Sequence, residues 1–95
     1  MKRMEKAIKE VCDELHGACK YAENYIFFAT SHPEWARMYH DMAMEELTHA
    51  EADYKIGTEM MNELKWVDEE SKEKWRDLNN KVAQKTAWVK LMLSK

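Results

Sequence analysis

Turn-forming residues are scarce in this chain. Its 95 residues include two glycines and one proline, too few for a fold built on many tight turns. No apolar run approaches the roughly 20 residues that a membrane-spanning helix needs, and the N-terminus lacks the apolar stretch of a signal peptide. Cysteine is limited to Cys12 and Cys19, seven positions apart in one expected helix. At about 1.5 Å rise per residue their Cα atoms stand about 10 Å apart, too far for an intrachain disulfide. Reduced thiols and a cytoplasmic setting are therefore expected. The net charge of −3, with no basic face, offers nothing to nucleic acid. What is abundant is charge, at 35%, together with eight methionines and four tryptophans. That mixture suits helices rather than strands.

Hydrophobic periodicity divides the chain into three helices in a single domain. The first is expected over about 3–29, with a seam of Met4, Ile8, Val11, Leu15, Ala18, Ala22, Tyr25 and Ala29. Thr30 to Glu34 is the clear turn, with Ser31 or His32 ahead of a proline suited to the first helical position. So short a connection implies an antiparallel hairpin. The second helix is expected over about 33–64. The pattern then breaks near Lys65 to Asp68, although no glycine or proline forbids a continuous helix there. Asp68, Glu69 and Glu70 supply an N-cap and an acidic first turn for a third helix over about 69–93, with Trp75, Leu78, Val82, Val89 and Met92 as its seam and Trp88 and Leu91 off it. So many tryptophans and methionines are difficult to cover in a small monomer, and a homo-oligomer is expected.

One row of the second helix is unusual. Met38, Met42, Glu46, His49, Asp53, Ile56 and Met60 recur at steps of four and three, the spacing of a core-facing seam. Its ends are apolar and its middle is polar. Buried charge must be paired or bound to metal, so this interval requires an explanation. Within it, Glu46 and His49 lie three apart and share a helix face. A second line on the same helix, Ala43, Ala50 and Gly57, would let another helix come close, and Leu47, Tyr54 and Met61 form a third.

Depth along the hairpin selects a partner for this pair. Glu14 and His49 lie roughly 24 and 22 Å from the turn and Glu46 roughly 18 Å, whereas Glu23 lies only roughly 10 Å out. Glu14 is therefore level with Glu46 and His49, and Glu23 is not. Tyr21 shares the row of Glu14 and could hydrogen-bond a ligand carboxylate. A glutamate from one helix and Glu-x-x-His from the next make half of the set that holds two metals in ferritin-like carboxylate bundles. A two-fold axis would supply the other half. Such a dimer would carry two metal ions on four carboxylates and two imidazoles, a donor set suited to iron or manganese, with zinc as competitor.

At this point the chain resembles the ferritin-like di-iron carboxylate proteins, and most closely their encapsulated-ferritin (half-ferritin) branch. The resemblance covers about residues 10–60 and rests on Glu14-Leu15, Lys20-Tyr21, the Pro33 turn and Glu45-Glu46-Leu47-Thr48-His49-Ala50. It implies an all-α hairpin plus third helix that completes a four-helix bundle by homodimerisation. It also implies oxidation of Fe(II) to Fe(III) by oxygen at a di-iron site between two chains, and transfer of iron to a surrounding protein shell. Glu14, Glu46 and His49 would be the ligands and Tyr21 an aromatic beside them. Asp13 and His16 would stand where that branch has acids that guide iron inward. The chain departs from the pattern in three respects: His16 replaces an acid, the third helix is long and tryptophan-rich, and no shell-targeting tail is recognisable after Leu93.

Simpler readings stand beside these. Glu-x-x-His recurs by chance in charged helices. Asp53 is expected as a surface acid or as a neighbour of a ligand rather than a ligand. Glu45 and Glu51 belong to a solvated face, His40 and Asp41 to the surface, and His32 to the turn. The alternative function is a structural or adaptor bundle without catalytic metal, in which Glu46 and His49 pair with basic side chains such as Lys20.

Overall fold

A computed structural model describes residues 2–64 and 66–95. These form three helices, α1 (Lys2–Phe28), α2 (Pro33–Glu63) and α3 (Glu69–Leu93), with no strand among the described residues. Every helix boundary lies within one residue of its expected position. α1 ends in a turn that returns directly into α2, with the His32 N–H donating to Phe28 O at 2.9 Å. Pro33 opens α2, where its missing N–H removes nothing the helix would use. Leu64 turns to extended backbone at ψ 130°, so α2 stops there and no continuous helix runs into α3. Lys65, part of the expected break, lies outside the described residues. Asp68 occupies the N-cap of α3, where the Ser71 hydroxyl holds its carboxyl below the usual range. No helix among the described residues is long and apolar enough to cross a membrane.

The α1 seam is the spine of the core. Met4, Val11, Leu15, Ala18 and Ala22 are buried, and Ile8 and Tyr25 are half-buried against them. Sealing a side chain such as Val11 contributes about 2 kcal/mol. α2 lies along one flank of this seam, and α3 packs chiefly on α1 with only slight contact to α2. The resulting rod is 53 Å long and 16 Å across.

The inward face of α2 corrects the sequence expectation. Ala36, Ala43, Leu47, Ala50 and Gly57 are buried, so the small-residue line and Leu47 face the core. The Met38–Met60 row lies at the edge of that face rather than on it: Met38 is 63% exposed and Ile56 54%, while Met42, Glu46, Asp53 and Met60 are half-buried. The physical reason is size. Alanines and a glycine on α2 allow the two backbones to approach over the length of the hairpin, which methionines would prevent. Gly57 also admits Trp75 of α3, since a Cβ there would fall 2.3 Å from the ring. Trp75 stacks on Tyr54 at 5.2 Å between ring centres, and the Tyr54 hydroxyl donates to Asn79 Oδ1 at 2.5 Å. Trp88, off the expected seam, is nevertheless half-buried against the core.

Candidate metal centre

Gly17 marks where α1 and α2 meet at the depth the sequence selects. A Cβ at Gly17 would lie 2.8 Å from Glu46 Oε2, so the Glu46 carboxylate rests in the space that glycine leaves. One turn back on α1 is Glu14. Its Oε2 is sealed from solvent and accepts no hydrogen bond from another group among the described residues. Burial, then the adjoining Asp53 carboxyl, then the charges of Glu46 and Glu10 push the Glu14 pKa up to about 8. On the outer side of Glu46, its Oε1 stands 3.4 Å from His49 Nδ1, and the His49 side chain is 61% exposed.

The fold thus brings Glu14, Glu46, His49 and Asp53 to one level on one side of the hairpin. It does not bring three of them into one coordination sphere: among the described residues, no three His, Cys, Asp or Glu side chains stand close enough to hold a metal ion. No lysine or arginine forms an ion pair with Glu14, Glu46 or Asp53 among the described residues. The cluster is a group of acids and an imidazole at the junction of α1 and α2, with Glu46 seated against Gly17 and the His49 side chain mostly exposed.

Of the two expected places for Asp53, surface acid or neighbour of a ligand, the fold gives the second: its carboxyl adjoins that of Glu14. The available signal was its position four residues after His49 on the same row. Tyr21 is half-buried and pairs with Tyr39 at 6.1 Å between ring centres, and its hydroxyl makes no hydrogen bond to a carboxylate among the described residues. Asp13 and His16 are not beside the cluster in this chain. They line a groove on the other flank of α1 with Cys12, Cys19, Glu23, Lys81 and Lys85, and Asp13 pairs with Lys9 at 2.7 Å. Their side chains leave α1 on the side facing α3, which separates them from Glu14 despite adjacency in sequence. Glu23 and Lys20 stand in the same groove. Both thiols are free, and burial pushes the Cys19 thiol up against the opposing effect of Lys85.

Compared with protein-family models, curated proteins and solved structures, the chain matches none.

Proposed function

We propose that this is a ferritin-like iron-binding protein that oxidises Fe(II) to Fe(III) at a di-iron site shared by two chains, whose paired hairpins make a four-helix bundle. The observation that carries the reading is the Glu14 oxygen, buried beside two further carboxylates and given no hydrogen bond or cationic side chain among the described residues, save a proton it could share with Asp53. Buried carboxylates without a basic partner take up a proton or a cation. A metal ion is the cation that this donor set suits, and it would displace the proton that Glu14 holds when the site is empty.

Glu14 and Glu46 would bind Fe(II) through carboxylate oxygens. His49, with Nδ1 turned to Glu46, has Nε2 as its free donor. One chain offers half a donor set, so the second half comes from a second copy. Iron is the substrate: each Fe(II) gives up one electron to oxygen, and the protein supplies position, charge neutralisation and exclusion of water. No organic cofactor is required. Manganese or zinc would occupy the same ligands without turnover, and the oxidised iron would pass to an acceptor such as a protein shell or mineral store.

The test is anaerobic loading with Fe(II) followed by air. Ferric absorbance should rise with protein, and Glu46→Ala and His49→Ala should abolish the acceleration. Variants as fast as the parent would remove the reading, as would a protein that stays a metal-free monomer in iron. In that case the adaptor bundle is the surviving interpretation.

A further inference from the structure

The Met38–Met60 row of α2 has an internal symmetry. Counting outward from His49, an acid stands three residues before it (Glu46) and four after it (Asp53). An apolar residue stands seven away on each side (Met42 and Ile56), and a methionine eleven away on each side (Met38 and Met60). The row reads nearly the same in both directions. Two copies related by a two-fold axis meet through one self-complementary patch, in which residue i touches j and j touches i. An antiparallel pair of α2 helices with the axis at His49 satisfies that condition along the whole row.

We infer that a second copy of this chain lies antiparallel along this row with the two-fold axis at His49, so that the second copy's Asp53 faces Glu46 and adds a carboxylate to the shared site. The inference rests on the proposed two-chain site and specifies which side chains share it. Part of the row is uncovered in the single chain: Met38 is 63% exposed, Ile56 54% and neighbouring Trp35 49%, whereas Met60 is half-buried against the chain's own core. Met42 against Ile56 and Met38 against Met60 would close apolar contacts on both sides of the polar centre. A displacement of one turn spoils this match, because it sets Glu46 against Ile56 in one direction and Asp53 against Met42 in the other. Opposed α2 helices also align their dipoles favourably, which a parallel pair does not. At the centre, Glu46 and Asp53 from both copies surround the axis with acids, which a bound cation neutralises.

Disulfide trapping tests the register. In a Cys12→Ala/Cys19→Ala background, Met42→Cys and Ile56→Cys are made separately, mixed, and oxidised with Mn(II) present. The expected product is a covalent dimer in the mixture, with little from either variant alone. Self-linking of Met42→Cys would establish a parallel pair and overturn the inference. A dimer by mass that shows no linkage in the mixture would also overturn it. Metal content of the parent is measured separately. Two metals per dimer with a different linkage pattern would sink the register and leave the proposed function standing, whereas a metal-free monomer would sink both. For Asp53, the Asn variant should keep the Met42–Ile56 linkage and bind Mn(II) about 10- to 100-fold more weakly. Unchanged Mn(II) affinity would remove Asp53 from the site.

Discussion

Replacing Glu14 by glutamine should separate folding from metal binding. In the metal-free chain, burial and the Asp53 and Glu46 carboxyls raise the Glu14 pKa from 4.5 to about 8. The folded state therefore keeps a proton that the unfolded chain releases, across the window from 4.5 to about 8. Stability is full below that window, falls as pH rises through it, and levels off above. Solvent around the rest of the carboxyl screens the effect, so on the order of 1 to 2 kcal/mol is at stake rather than the full worth of the displaced proton. A glutamine amide has no proton to lose and can donate a hydrogen bond to Asp53. Glu14→Gln should match the parent near about pH 5 and exceed it by about 1 to 2 kcal/mol near about pH 9. Urea unfolding in chelator, followed by tryptophan fluorescence, measures both arms, and the difference between the proteins cancels every other titrating group. Saturating Mn(II) should reverse the order: at about 100 times its dissociation constant it adds about 2.7 kcal/mol to a protein that binds it. Glu14→Gln, lacking a ligand, should gain far less. A variant less stable than the parent near about pH 9, or equally stabilised by Mn(II), would refute the argument.

Gly17→Ala should leave stability unchanged or raise it by up to about 1 kcal/mol, because alanine is the better helix former and the Glu46 carboxylate can swing aside; Mn(II) titration should show weaker binding, since that carboxylate has lost its resting place. Gly57→Ala should destabilise by about 1 to 3 kcal/mol in thermal melts, because the Trp75 ring is held by Tyr54 and cannot yield as a flexible side chain would. Glu23→Gln, in the groove towards α3, should oxidise Fe(II) at the parent rate, while Glu14→Gln should not; equal loss in both would invalidate the depth argument that separates them.

The helices were legible because their signals are local. Pro33 and the adjoining polar turn mark one junction, and the acids after Asp68 mark the next. The α1 seam was legible because a single stripe of Met4, Val11, Leu15, Ala18 and Ala22 carries nearly all its burial. α2 was harder because two of its faces could have been the inside. Hydrophobicity favours the methionine row, whereas close approach of two long helices favours alanine and glycine, and close approach prevailed. The seat of Trp75 over Gly57 had no signature, since it joins positions 18 apart through two different helices. The level of Glu14 with Glu46 followed from rise per residue alone. The contact of Asp53 with Glu14 did not, because it depends on how α1 and α2 are rotated against each other.

That rotation changes the meaning of the polar interval in α2. On a core seam, Glu46, His49 and Asp53 would each be a buried polar defect. At its edge, His49 is largely hydrated and Glu46 partly so, and the conflict narrows to the Glu14 oxygen beneath them. The apolar residues on either side then have a different role. Met38 and Ile56 stay exposed in a monomer that already has a core built on α1, and they become useful only when another surface covers them. Covering them also removes water from the acids between them, which raises the demand for a neutralising cation. Methionines, acids and histidine on this row therefore belong to one design, in which the contact between chains and the metal ligands occupy the same helix face.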